Sequence, residues 1–258
     1  MIDIQMLVTD LDKTLLRGDK TISEYTATVF RRCREAGMKI VFATARPERN
    51  LAQFARIIQP DAIISDNGAR ACVNGQAVLQ KDISPAAVSK IVETLLPLAG
   101  IRLHLNYART SCTNHETWRS WGSWGVEYSD FSVYDPIGVH KIAIEAQDIS
   151  LLRYVDFDAL DCHYTGNQGE KWFLVTAKSA TKKNAIEAVA AHFGIALSDV
   201  AAFGDDQNDI EMLRACGIGV AVANAIDEAK AATDFVCGSN DNDGPAHWIE
   251  ENLLQEAV

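Results

Sequence analysis

The sequence predicts an α/β protein: a parallel sheet with helices on both faces, built from the two ends of the chain and interrupted by an inserted α+β domain. Three observations carry this. Apolar runs and amphipathic stretches alternate over about the first 70 residues, the alternation stops near residue 82, and it resumes from about 180 to the C-terminus. Strand and helix patterns that alternate in this way make parallel sheets. The unbroken apolar character of the runs fits strands buried on both faces. Residues 1–81 and 179–258 are assigned to one discontinuous core, and 82–178 to the insert.

The elements follow in order. "IQMLVTD" (4–10) is a short apolar run of strand type. "SEYTATVFRRCREAG" (23–37) has helical spacing and stops at Gly37, the residue type that ends helices in the left-handed region. "KIVFATA" (39–45) is a second strand, "PERNLAQFARII" (47–58) a helix opened by Pro47, and "AIISDNGA" (62–69) a third strand. "ACVNGQAVLQ" (71–80) reads as a hairpin around Asn74-Gly75. In the insert, a helix over 85–100 precedes strands at 101–108 and 141–146, a helical stretch near 149–156, and strands "CHYTG" and "WFLVTA". The returning core gives a helix over 181–194, strand 200–204, helix 208–217, strand 218–223, helix 225–232, strand 234–237 and a last helix over 244–254.

Bulk properties exclude several function classes. With 258 residues, 48% hydrophobic and 23% charged, the chain has the composition of an ordinary globular protein. A formal net charge of −11 disfavours nucleic acid and anionic membranes as partners. A small phosphorylated anion is compatible with that charge if a local cation receives it. The six cysteines, Cys33, Cys72, Cys112, Cys162, Cys216 and Cys237, contain no C-x-x-C pair, so neither a zinc framework nor a compact disulfide scaffold is expected. The six histidines (104, 115, 140, 163, 192, 247) lack metal-ligand spacing. The N-terminus has no signal-peptide pattern and no run of 18 apolar residues occurs; the expectation is a reduced, cytoplasmic protein.

Four polar clusters fall at or just beyond the carboxyl ends of strands, where parallel sheets gather ligands. They are Asp10-Leu11-Asp12, Thr44-Ala45-Arg46, Thr181-Lys182-Lys183 and "GDDQND" over 204–209. Together they supply carboxylates, a hydroxyl and a lysine, which suits a divalent cation and a phosphate held at once. Mg2+ prefers oxygen ligands and binds one or two carboxylates plus substrate phosphate; Asp10 and Asp205 are the candidates. One carboxylate could then take the phosphoryl group as an aspartyl-phosphate, and a second could move the protons. Thr44 and Lys182 would hold the non-bridging oxygens. The residues by themselves leave open which of Asp10 and Asp12 attacks.

The clusters, in this order and spacing, resemble the four motifs of the haloacid dehalogenase (HAD) superfamily. "DLDKTLL", "SDNGA", "GDDQNDIEML" and the late "DNDGPA" resemble the landmarks of its type IIB, Cof-like branch of Mg2+-dependent phosphatases, as does the insertion point. The resemblance covers the core, whereas the insert matches only in length and α+β character. It implies a Rossmann-like core with an inserted C2-type cap, Asp10 as nucleophile and Asp12 as general acid/base. It implies further that Thr14 supports the loop and the phosphate, and that Thr44 and Lys182 bind phosphoryl oxygens. Mg2+ would be held by Asp10, the Asp12 backbone carbonyl and Asp205, with Asn208 and Asp209 orienting the site. Ala45 and Lys183 stand where the family commonly has glycine, which affects loop geometry and removes no functional group.

Two readings stay open at this stage. Arg46 either contacts substrate or solvates its loop, and the tryptophans of "WRSWGSWG" (Trp118, Trp121, Trp124) either pack the cap core or line the site. For Asp206 a structural role is expected. The expected function is hydrolysis of a small phosphomonoester, foremost a sugar phosphate, with nucleotide phosphates and pyridoxal phosphate as further classes. The alternatives are a phosphotransferase or phosphomutase on the same core, and a catalytically silent regulatory module. If the cap moves, the linkers near 80–84 and 177–181 are its natural hinges.

Overall fold

The computed structural model describes residues 4–115, 125–166 and 171–254; the tryptophan stretch 118–124 lies outside them. The chain divides into two compact units, Met1–Leu79 with Thr181–Val258, and Gln80–Ala180. In the first, β1 (Met6–Thr9) is the central strand, and every one of its residues is buried. β2 (Lys39–Ala43) and β12 (Val200–Gly204) pair with it in parallel on either side. β3 (Ala62–Ser65) extends the sheet in parallel beyond β2, and β13 (Ile218–Ala221) and β14 (Phe235–Val236) extend it beyond β12. β4 (Arg70–Val73) turns back antiparallel to β3 and is followed by the edge strand β5 (Gln76–Gln80). The eight strands run in the order β14-β13-β12-β1-β2-β3-β4-β5. The chain leaves β1 toward β2 and later returns on its other side at β12, so β1 sits at the switch point where such sheets bind ligands.

The helices form where the sequence places caps. α1 (Glu24–Glu35) begins at Ser23, whose side chain accepts from Thr26 N–H at 2.9 Å, and ends against Gly37 at φ +89°. α4 (Lys182–Phe193) begins at Thr181, which accepts from Asn184 N–H at 3.2 Å, and ends at Gly194 in the left-handed region. Between β2 and β3 the expected single helix is broken. A 3-10 turn over Glu48–Asn50 is separated from α2 (Ala52–Ile58) by Leu51 at φ −106°, ψ −9°. Pro47 is extended and precedes the turn rather than entering a long helix. In the returning half α5 spans Ile210–Ala215, α6 is a single turn (Asp227–Lys230) where a longer helix is expected, and α7 spans Gly244–Leu253.

The second unit packs α3 (Pro85–Leu95) on one face of a six-stranded sheet. Its strands are β6 (Ile101–Asn106), β7 (Ser111–Thr113), β8 (Val126–Tyr128), β9 (Lys141–Ala146), β10 (Cys162–Thr165) and β11 (Trp172–Ala177), in the order β10-β11-β9-β6-β7-β8. Alternate residues Leu103, Leu105, Ile142, Ile144, Phe173 and Val175 face α3 and form its core, as the two-residue repeat of a strand requires. The helical stretch expected near 149–156 is a 3-10 turn over Ile149–Tyr154, capped by Asp148. No helix among the described residues is long and apolar enough to cross a membrane.

One close approach fixes the site end of the first unit. Gly68, at φ +94°, follows β3, and a Cβ there would stand 2.2 Å from the carbonyl of Thr181. The loop after β3 therefore lies directly against the start of α4. Gly68→Ala combines a left-handed backbone with a clash against main chain, and is expected to lower stability by about 3 kcal/mol or more in urea unfolding. Gly37→Ala, also at positive φ but with open space around it, is expected to cost only about 1 kcal/mol.

Candidate active site

The four clusters meet at the carboxyl edge of β1, β2 and β12. Asp10 follows β1 and is 6% exposed. Lys182, the first residue of α4, is fully buried and donates to Asp10 Oδ1 and to Asp209 Oδ1, both at 2.6 Å. A lysine in the first turn of a helix is disfavoured by the dipole, so its place is set by the two carboxylates it bridges. Burial works against its charge, but Asp10 and Asp209 outweigh it and hold the ammonium protonated.

Asp209 has both oxygens engaged. Oδ1 takes Lys182, and Oδ2 accepts from the backbone N–H groups of Asp205 (2.9 Å) and Asp206 (3.1 Å). This shapes the loop after β12 around the carboxylate. Gly204 makes room for it, since a Cβ there would lie 2.6 Å from Asp209 Cβ. Asp206 caps the same turn by accepting from Gln207 N–H at 2.8 Å, a local structural role. Asp205 is buried and its Oδ1 accepts from Thr14 Oγ1 at 2.7 Å. The Thr14 hydroxyl is thus directed at Asp205.

Asp12 is more exposed and is held differently. Arg46 grips it as a fork, Nε to Oδ2 at 2.6 Å and the terminal nitrogen to Oδ1 at 2.7 Å, while Lys20 donates to Oδ1 at 2.8 Å. The Arg46 guanidinium also lies over the Phe54 ring, 5.3 Å from its centroid. Thr44 is buried, and its Oγ1 accepts from Arg46 N–H at 3.1 Å, which leaves the hydroxyl hydrogen to be donated. Asn208 donates to Asn67 Oδ1 at 2.7 Å. Asn67 is buried at φ +61° in the loop after β3.

The carboxylates divide into two electrostatic classes. Burial pushes the Asp10 carboxyl up to about 8, against the pull of Lys182 and with the help of neighbouring Asp209 and Asp205. Burial likewise raises Asp205 to about 6, opposed by the Thr14 hydrogen bond and reinforced by Asp209. For Asp12, burial also acts upward, but the hydrogen bonds and charges of Arg46 and Lys20 prevail and bring it down to about 2. The inner cluster is short of positive charge and the outer carboxylate is not.

Oxygens of Asp10, Asp205 and Asp209 lie within 4.8 Å of one another. Each Asp209 oxygen already accepts at least one hydrogen bond, whereas Oδ2 of Asp10 and Oδ2 of Asp205 accept none among the described residues. Two hard anionic donors beside a single ammonium suit a cation of the Mg2+ type. One contacting residue is not evident from sequence, Lys20, which lies in a turn of ordinary polar composition. Asn67 falls within the landmark "SDNGA", but its left-handed backbone and its bond to Asn208 show only in the structure.

A family model described as haloacid dehalogenase-like hydrolase matches residues 7–249. The chain belongs to this family. The Escherichia coli pyridoxal phosphate phosphatase YbhA is 26% identical over 274 residues, covering 97% of this chain and 99% of that protein. The Bacillus subtilis 5-amino-6-(5-phospho-D-ribitylamino)uracil phosphatase YitU is 24% identical, covering 95% of this chain and 96% of that protein. Among solved structures, the HAD subclass IIB sugar phosphatase BT4131 superposes with a TM-score of 0.82 at 25% identity, over 96% of this chain and 98% of that one.

The raised carboxyls give a signed pH dependence. Asp205 and Asp10 titrate higher in the folded state than in an unfolded chain, so their contribution to stability is present below about pH 4. It is lost as pH rises through about 6 for Asp205 and about 8 for Asp10. In thermal melts with chelator, Asp205→Asn is expected to flatten the pH 4–6 part of the wild-type slope.

Proposed function

We propose that the chain is a Mg2+-dependent phosphatase that hydrolyses a small phosphomonoester, most of all a sugar phosphate, through an aspartyl-phosphate on Asp10. The observation that carries this reading is the buried pair Asp10 and Lys182 beside Asp205, at a strand end that Thr44 and Asn208 also reach. Membership of a hydrolase family whose relatives are named phosphatases supports it.

In this reading Asp10 and Asp205, together with the Asp12 backbone carbonyl, would hold the ion, and Asp209 fixes Lys182 and the 205–206 backbone. Bound Mg2+ would supply charge neutralisation between carboxylate and phosphate. The Asp10 carboxylate attacks phosphorus and the ester P–O bond breaks. Asp12 delivers a proton to the departing alkoxide. Asp12 then takes a proton from water, which attacks the aspartyl-phosphate and releases inorganic phosphate and the Asp10 carboxylate. The Lys182 ammonium and the Thr44 hydroxyl donate to the phosphoryl oxygens as charge builds there.

The clamp on Asp12 adds a condition. Held by Arg46 and Lys20, Asp12 is ionised and has no proton to give. A dianionic substrate draws Arg46 away, since a guanidinium fork fits phosphate as well as carboxylate; with only Lys20 left on it, the Asp12 carboxylate takes up a proton from solvent, and that is the proton it gives to the leaving alkoxide. Arg46 is then a substrate ligand that frees the acid as it binds.

The second unit is proposed to select the substrate. The sugar class is favoured by the likeness to the sugar phosphatase BT4131. The named substrates of YbhA and YitU keep pyridoxal phosphate and phosphoribityl compounds on the panel to be tested.

With an aryl phosphate and Mg2+, wild-type protein is expected to turn over, and chelation or Asp10→Asn to lower kcat by about a thousandfold or more. Activity surviving either change would overturn the reading. In single-turnover reactions with a sugar phosphate, free phosphate is the expected product. A second phosphorylated acceptor would assign a phosphotransferase instead.

A further inference from the structure

The segment that carries Asp10, Asp12 and Thr14 reverses within residues 11–16. Thr14 and Leu16 N–H groups both return to Leu11 O, at 3.3 and 2.8 Å. Lys13 takes the left-handed conformation, φ +63°, within this turn, a conformation uncommon outside glycine, asparagine and aspartate. The main chains of Asp12 and Leu16 are bridged across the reversal, and the carbonyls of Lys13 and Leu16 also accept from side chains outside it.

Both carbonyls are claimed by asparagines more than 200 residues away. Asn224 Nδ2 donates to Lys13 O at 2.8 Å, and Asn240 Nδ2 donates to Leu16 O at 2.9 Å. The two asparagines are themselves joined, Asn240 N–H to Asn224 Oδ1 at 3.0 Å. Asn240 is 6% exposed and Leu16 is wholly buried, so no water replaces that inner bond. The Asn224 segment also holds the other metal-side loop. Ile226 N–H donates to Asp205 O at 2.9 Å, and Val222 N–H to Gly204 O at 3.2 Å. One hydrogen-bonded pair therefore ties the loop of Asp10 and Asp12 to the loop of Asp205.

We propose that Asn240 and Asn224 are positioning residues for the reaction: they fix the 11–16 turn so that the Asp12 main-chain carbonyl and the Asp10 carboxylate stand in register with Asp205. This rests on the phosphatase reading above and gives a role to the segment preceding "DNDGPA". Asp241 and Asp243 do different work. Asp241 accepts from Gly18 N–H at 2.7 Å and Asp243 is gripped by Arg17, and both contacts secure the following turn over 17–21 rather than the turn that bears the carboxylates.

The test compares Asn240→Asp and Asn224→Asp, near-isosteric changes that remove the N–H donor, with Asp241→Ala as a control on docking of the 17–21 turn. Three quantities are read: kcat and KM on an aryl phosphate, the Mg2+ concentration giving half-maximal activity, and the rise in melting temperature on adding Mg2+ alone. Asn240→Asp is expected to lower kcat about tenfold to a hundredfold with KM within about threefold, and to raise the Mg2+ requirement about tenfold. It should also shrink the Mg2+-induced thermal shift, and Asp241→Ala should leave all three within about twofold. A lower melting temperature with unchanged kcat per folded molecule and an unchanged Mg2+ response would overturn the proposal. If Asn240→Asp does not fold, Asn224→Asp, on the exposed side of the pair, decides by the same criteria. If wild-type protein binds Mg2+ but hydrolyses nothing, the phosphatase reading falls while the thermal shift still tests the positioning role.

Discussion

The site depends on one buried ammonium. Lys182 has no exposed surface in its side chain and lies 2.6 Å from both Asp10 and Asp209. A buried charge is tolerated only when paired and hydrogen-bonded, and here one cation serves two carboxylates while a third, Asp205, stands close by. The arrangement is stable enough to form and remains short of positive charge. That deficit raises the Asp10 and Asp205 carboxyls, and it is the physical reason to expect an added cation there.

Backbone packing makes the deficit unavoidable. Gly68 lets the loop after β3 lie on the first residues of α4, which aims Lys182 inward. Gly204 lets Asp209 tuck beneath the loop after β12, where it is consumed by two N–H groups and by Lys182. Asp209 is thereby held in place and orients its neighbours, and Asp10 and Asp205 are left with oxygens to offer. Asp12, gripped by Arg46 and Lys20, is kept electrostatically separate from the inner cluster. Two aspartates one residue apart thus have opposite environments, as different chemical roles require.

Much of this was legible in the residues. The strands at 6–9, 39–43 and 200–204 are plain apolar runs, and the polar clusters that end them mark the site edge. Local periodicity misjudged regular helix where the chain makes a tight turn at Glu48–Asn50, while the helical stretch expected near 149–156 is present as a 3-10 helix over Ile149–Tyr154. Short 3-10 segments share side-chain spacing with a single α-turn, so pattern does not separate them. The unseen part of the site is what depends on distant partners. The Arg46 fork onto Asp12, the contact of Asn67 with Asn208 and the grip of Asn240 on Leu16 join residues 34, 141 and 224 positions apart. No periodicity encodes such contacts; they follow from strand order.

The central claim is that Asp10, of all the carboxylates at this edge, carries the phosphoryl group. The direct measurement is rapid acid quench of Asp12→Asn protein mixed with a phosphomonoester and Mg2+, followed by peptide mass spectrometry. The account predicts a phosphoryl adduct that is labile to base and confined to the peptide containing Asp10, and lost in Asp10→Asn. An adduct on any other residue, or full turnover of substrate with no adduct at all in the slowed variant, would contradict it.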